Sequence, residues 1–344
     1  MREDTEDDRS PAEPVRMEAV ARRAGVSVIT VSRALREPQR VAPETRSRIL
    51  SAVAEIGYVP NLVAGSLKSR RSGFVGGIIP TTAQPVAAEV VRGMTESLRE
   101  PGLRLFLADS GFSPEEEQEL VVSMLARRPD AIFLTGVTHT ELTRRLLAAA
   151  RIPVVEIGNL CEAPIDILVG FSNFLAAEMI TKAVLASGRR TIGYIGQTGR
   201  AHIDRVRDRL DGFGQALTDA GLPFEQHRVV ECGLGYEDGA RGLRALLERD
   251  QSIDAVVCSS DIIAVGALFE AQRLGIAVPG RLAIGGIDDT EVSAQCVPAL
   301  STVRLPRFMM GRVAGELICQ RLAGKPIARP VVDLGFELVM RGTI

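Results

Sequence analysis

Residues 17–36, MEAVARRAGVSVITVSRALR, set the architecture of the N-terminal part of this chain. Val20, Ala21 and Ala24 recur at helical spacing, Gly25 interrupts the run, and Val31 and Ala34 resume the apolar periodicity on a second short segment. Gly25 falls four residues after Ala21, where a tight turn needs a residue without a Cβ. Ser27 is placed to cap the second helix by accepting a backbone N–H. The pattern predicts two short helices crossing closely at Ala21, a helix-turn-helix whose second helix is presented to the DNA major groove. On spacing alone, a surface helical hairpin is the competing reading.

The flanks favour DNA. In EPQRVAPETRSRILSAVAEIGYVPN, Pro43 suits the first turn of a third helix and Gly57 its C-terminal cap. Ile49, Leu50, Val53 and Ile56 form the stripe expected to close a three-helix core. Asn61–Leu67 is a weak helix former running into Lys68, Arg70 and Arg71, either a free linker or a segment that becomes helical on DNA. Residues 15–72 carry eleven Lys or Arg against four Glu, a net +7, whereas residues 1–14 carry −4 and the remainder −5. A basic module on a mildly acidic body is the charge layout of a nucleic-acid binder with a separate second function. The acidic stretch 1–14 lacks apolar residues that could pack and reads as a disordered tail.

The 344 residues, 46% apolar, are enough for two or three units with sizeable cores. With no Trp and three Tyr, an aromatic sugar platform is not expected. Cys161, Cys232, Cys258, Cys296 and Cys319 form no CxxC or Cys/His cluster, so they read as small hydrophobes in a reducing compartment, with no metal site, cofactor or disulfide framework. No apolar run approaches 18 residues and no signal-peptide core is evident, which points to a cytoplasmic protein without a membrane segment.

From Gly73 the pattern becomes a βα alternation. Strands are expected at 74–80, 103–109, 131–136, 153–158 and 167–171, then at 191–196, 228–233, 255–260 and 282–288, with amphipathic helices between them. Two such runs predict two doubly wound parallel sheets. Ligands bind beyond the carboxyl ends of such strands, so facing sheets would enclose a cleft.

Taken together, VARRAGVSVITVSRAL, TRSRILSAVAEIGYVPNLVAGSL, SSDIIAVGAL, GIDDTEV and LSTVRLPR resemble the LacI/GalR family of bacterial transcriptional repressors. GVTHTELT, IPVVEIGN, IDILVGFSNFLAA and VVDLGFELVMRGTI are similar to its gluconate-operon repressor branch. The resemblance implies a helix-turn-helix domain at 15–60, a hinge at 61–72 and a core at 73–344 resembling periplasmic sugar-binding proteins. It places three crossovers near Phe171–Asn173, Val303–Leu305 and Val332–Leu334. The N-subdomain is then about 73–171 with 304–332, and the C-subdomain about 172–303 with 333–344.

For DNA, the resemblance puts Val28, Ile29 and Arg33 at base-reading positions. Arg33 can donate two bonds to guanine, whereas Val28 and Ile29 would favour thymine methyls. Many relatives are polar at those two positions, so the operator sequence stays open. Ser27, Thr30 and Ser32 are expected at phosphates, which position rather than specify. Asn61 and Ala64 join Leu67 in the hinge, where the family wedges a leucine into the minor groove; packing of Leu67 on the core is the alternative.

For the effector, the resemblance selects Arg209, whose planar fork suits a carboxylate. Asp261 and Asp288 would accept from sugar hydroxyls, and Thr81, Thr82, Phe171 and Asn173 lie at strand ends around the cleft. The competing readings are that Asp261 caps the following helix and that Arg209 pairs with Asp204 or Asp208; His202 is close enough to Arg209 in sequence to reach a ligand. His139 and His227 read as loop or strand-edge residues. Enzyme readings are weak. GYIGQTGR is neither G-x-G-x-x-G nor GK[ST], and Ser259, Ser260 and Asp261 lack a histidine in a catalytic motif. The expectation is a homodimeric repressor on palindromic operator DNA, released by a sugar or sugar acid such as gluconate, without the family's tetramerising tail. Corepression, or a periplasmic-type binding protein without DNA function, are the alternatives.

Overall fold

The computed structural model describes residues 15–59, 71–82, 85–200 and 203–344. The expected acidic tail, the hinge contacts Asn61, Ala64 and Leu67, and His202 lie outside the described residues. The chain divides into two compact units, Met1–Ser72 and Gly73–Ile344.

In the first unit, α1 (Met17–Ala24), α2 (Val28–Arg36) and α3 (Pro43–Ile56) surround a core of Val20, Ala21, Ala24, Val31, Ala34, Ile49, Ala52 and Tyr58. Gly25 adopts φ +65° and its N–H closes α1 on Ala21 and Arg22 carbonyls, the left-handed cap that a Cβ would disfavour. Gly57 ends α3 the same way at φ +65°. Arg23 and Glu55 form an ion pair between α1 and α3. Leu50 does not join the core as expected and is 44% exposed. It lies one residue, about 100° of helix rotation, beyond Ile49, so Ile49 and Ala52 take the inward face instead.

The second unit contains two six-stranded sheets. The first holds β1 (Phe74–Ile79), β2 (Arg104–Asp109), β3 (Ala131–Thr135), β4 (Val154–Ile157), β5 (Ile167–Gly170) and β11 (Val331–Asp333), in spatial order β11-β5-β4-β3-β1-β2. The second holds β6 (Ile192–Gly196), β7 (Val229–Glu231), β8 (Ala255–Cys258), β9 (Ala283–Asp288), β10 (Ser301–Arg304) and β12 (Glu337–Val339), in order β12-β10-β9-β8-β6-β7. Each is a doubly wound order whose strand sequence reverses beside its first strand. The central strands are apolar and buried on both faces, as helix-covered parallel strands must be. One edge departs from the expected parallel pattern: β12 runs antiparallel to β10. It follows β11 after only residues 334–336: β11 runs parallel in the first sheet and the chain crosses directly to the second, so β12 starts opposite Arg304, at the carboxyl end of β10, and runs back against it.

The helices are α4 (Pro85–Arg99), α5 (Pro114–Ala126), α6 (Glu141–Ala149), α7 (Asn173–Ala186), α8 (Asp204–Asp219), α9 (Tyr236–Arg249), α10 (Asp261–Arg273), α11 (Glu291–Gln295) and α12 (Arg307–Leu322). Glycines let pairs of them meet backbone to backbone. A Cβ on Gly311 of α12 would lie 2.0 Å from the Val90 carbonyl of α4, and one on Gly212 of α8 would lie 2.1 Å from the Phe174 carbonyl of α7. The chain passes between sheets after β5, after β10 and again between β11 and β12.

Candidate functional site

The recognition helix is built by its cap. Ser27 Oγ accepts from Thr30 N at 3.2 Å and lies 2.8 Å from Thr30 Oγ1, which fixes where α2 starts. With Val31 and Ala34 turned inward, Val28, Ile29 and Arg33 project outward. Ile29 is 70% exposed, a large apolar side chain left in water by the isolated unit. Thr30 and Ser32 are half-buried on the flanks of that face. The Ser27 and Thr30 hydroxyls are therefore engaged with each other and with the helix start, while remaining at the surface.

In the second unit a cavity of about 150 Å³ opens at the carboxyl ends of both sheets. The first lobe contributes Thr81 after β1, Thr135 at the end of β3, Gly158 after β4 and Phe171 after β5. The other contributes Ser259 after β8, Asp288 at the end of β9 and Leu305 after β10, while α8 supplies Arg205 and Arg209. Arg209 Nε donates to Asn173 Oδ1 at 2.9 Å, one Nη donates to the Ser259 carbonyl, and the other lies 3.9 Å from Asp288 Oδ1. The surface pairing of Arg209 with Asp204 or Asp208 is not formed; Asn173 and Ser259 hold the guanidinium toward the cavity. Asp288 sits at φ +140°, a conformation rarely adopted by a non-glycine residue, which turns the chain as it leaves β9.

Arg307 completes the charged wall. Its side chain is 3% exposed, with Nη2 2.8 Å from Asp288 Oδ1 and Nη1 3.8 Å from Glu89 Oε2. The Nη2 approach to Asp288 is off the hydrogen-bonding direction. Both Nη2 and Nε are buried without a hydrogen-bond acceptor among the described residues. Arg205 also lines the cavity, with its guanidinium 5.4 Å from the Phe112 ring centroid. Burial pulls its pKa below the ordinary arginine value. Sequence reading missed Arg205 and Arg307. The available signal was an arginine immediately after the LSTVRLP strand, and one four residues before Arg209 on the same helix face.

Two expected contacts are corrected. Asp261 is fully buried at the start of α10 and does not line the cavity. Its oxygens accept from Thr302 Oγ1 at 2.6 Å, Thr290 N at 3.1 Å and Ser293 Oγ at 2.5 Å, inside the protein and away from the cavity. Burial, reinforced by the Asp288 charge, pushes its carboxyl up to about 6. Thr82 likewise turns away: its N and Oγ1 donate to Asp109 Oδ2 at 2.7 and 3.0 Å. His139 lies in the loop between β3 and α6, as expected, but it is not a surface residue. Its imidazole is fully buried, with Nδ1 2.6 Å from Glu117 Oε1 and Nε2 3.3 Å from Glu156 Oε1.

Among the described residues no cluster of three His, Cys, Asp or Glu would hold a metal, and no helix is long and apolar enough to cross a membrane. A basic helix-turn-helix unit and a two-sheet core with a cleft at its strand ends define a transcription regulator of periplasmic-binding-protein-like architecture. The profile of bacterial regulatory proteins of the lacI family matches residues 16–61, and that of periplasmic binding protein-like domains matches residues 181–344. The chain is 38% identical to the HTH-type transcriptional regulator GntR of Escherichia coli K12, covering 95% of this chain and 98% of that protein. A GntR of Pseudomonas aeruginosa is also 38% identical, over 94% and 93%. A LacI-family regulator from Silicibacter pomeroyi superposes with a TM-score of 0.90 at 33% identity, over 96% and 99% of the two chains. The chain belongs to the LacI family: it is a DNA-binding transcriptional regulator and not an enzyme. The alternative of a binding protein without DNA function falls with the match at residues 16–61.

Proposed function

We propose that this regulator is a ligand-responsive repressor whose inducer is a sugar acid, with gluconate as the first candidate, held in the cavity between the two lobes. The observation that carries the reading is Arg307. A buried guanidinium with two nitrogens lacking hydrogen-bond acceptors is costly, by about 1–3 kcal/mol or more per group, until something accepts from it. A ligand carboxylate supplies that acceptor, and Arg209 stands on the same wall with Asp288 between them. Asp288 and Thr81 suit the hydroxyls of a polyol chain. Arg33 reads a base in each operator half-site, and Ser27, Thr30 and Ser32 orient the helix on phosphates.

Two copies acting on a palindrome follow from one helix-turn-helix per chain. Exposed apolar side chains on the edge strand β2 (Phe106, Leu107) and around α9 and α10 (Tyr236, Phe269) support a second copy as their cover. Binding one state of the core better than the other lets the ligand shift DNA affinity.

Calorimetry of the full-length protein with D-gluconate, paired with release of operator DNA in an anisotropy assay, tests this reading. We expect saturable binding that Arg307→Met weakens by at least about tenfold, the loss of one charge-assisted contact. No binding of gluconate at millimolar concentration rejects it as the inducer.

A further inference from the structure

Asn159 follows Gly158 at the end of β4 and is 2% exposed. Its Nδ2 donates to two carboxylates of α8, Asp204 Oδ2 at 2.8 Å and Asp208 Oδ2 at 2.7 Å. Its Oδ1 accepts from Asn173 Nδ2 at 3.2 Å. The opposite amide orientation would set a carbonyl oxygen against both carboxylates, so the chemistry of the neighbours fixes the rotamer. Asn173 is fixed in turn, donating to the Gly158 carbonyl at 2.8 Å and accepting from Arg209 Nε at 2.9 Å. The first lobe also encloses Asp204 sterically: a Cβ on Gly136, after β3, would lie 3.2 Å from Asp204 Oδ1. A chain of hydrogen bonds, buried except at the half-buried Asp208 and Arg209 ends, thus runs from Asp204 and Asp208 through Asn159 and Asn173 to a guanidinium that lines the cavity.

We infer that Asn159 is a positioning residue for effector binding: it fastens α8 to the first lobe and so holds Arg209 in the orientation from which it meets the ligand. The inference rests on the reading of this cavity as the effector site. Asn159 touches no cavity space itself; it acts through Asn173 and α8. Because it joins one lobe to a helix of the other, it also resists separation of the lobes at this edge of the cleft.

The test uses the full-length protein with Asn159→Ala, Asn159→Asp and the milder Asp208→Asn. Without any ligand, hydrogen exchange of segments 203–209 and 171–175 is expected to rise in the first two variants while the rest of the core is unchanged. With D-gluconate as probe, Asn159→Ala should bind about tenfold more weakly, the loss of a hydrogen bond to a charged group. Asn159→Asp should bind more weakly still, because it sets a third carboxylate beside two. Asp208→Asn, which keeps the Asp204 bond, should fall between Asn159→Ala and the parent. Exchange in 203–209 identical to the parent overturns the inference whether or not gluconate binds. Gluconate binding by the parent with equal affinity in Asn159→Ala overturns it too. If the parent binds no gluconate, the effector assignment fails and the exchange result alone decides the role of Asn159.

Discussion

At the scale of single residues, Arg33 and His139 show opposite relations between exposure and role. Arg33 is exposed because Val31 and Ala34 on the same helix are buried, and its fork is free to reach a guanine edge. Arg33→Ala is expected to cost about 1–3 kcal/mol of discrimination, concentrated at one base pair of each half-site. Equal losses on operator and unrelated DNA in an anisotropy titration would instead make it a phosphate contact. His139 is buried between two carboxylates. Burial alone lowers the pKa of an imidazolium, but Glu117 and Glu156 outweigh it and raise His139 to about 9 from 6.5. The protonated form is thus favoured by folding. Its contribution is complete below pH 6.5 and fades as pH rises through about 9, up to about 3 kcal/mol. Denaturant unfolding at pH 6.5 and 9.5 should show a larger loss in the parent than in His139→Gln, and equal losses would exclude His139 as the titrating group. Nothing in THT signalled this burial, because both partners come from distant segments.

At the scale of elements, the helices of the core are held where their glycines allow. Gly311 on α12 and Gly93 on α4 face each other's backbones, and a Cβ on Gly93 would lie 2.1 Å from the Phe308 carbonyl. Alanine in a helix gains about 1 kcal/mol over glycine in propensity. Against a backbone carbonyl that cannot move without shifting a helix, overpacking of about 1–3 kcal/mol wins. Gly311→Ala should therefore lower the melting temperature measured by circular dichroism; a rise would mean that the two helices separate at little cost. Because α12 begins with Arg307, such a shift should also reach the cavity. The strands β1 to β9 were legible as apolar runs bounded by turns. The antiparallel course of β12 was not, since direction depends on the length of the link from β11 and on the neighbour that it meets.

At the scale of the whole molecule, charge is divided between a basic DNA-binding part and an acidic remainder. Two basic modules on one operator neutralise several phosphates at once, and each phosphate contributes about −0.9 to the slope of log affinity against log salt. We expect a slope steeper than about −4, together with a dimer in sedimentation equilibrium. A slope near zero would leave the net charge of the N-terminal unit without a role in DNA binding.

Residues 17–36 determined the helix-turn-helix by themselves, because its turn, cap and apolar spacing are local requirements met by Gly25, Ser27 and the Val20 to Ala34 stripe. The alternation after Gly73 likewise carried two doubly wound sheets, since strand and helix periods are written along the chain. Which polar side chains face the ligand was decided only in three dimensions. Asp261 looked like a ligand acceptor until Thr290, Ser293 and Thr302 took its oxygens. Arg307 was only the last residue of the LSTVRLPR stretch until burial beside Asp288 gave it a charge to answer. Hydrogen-bond directions depend on partners tens of residues away, and no spacing along the chain records them.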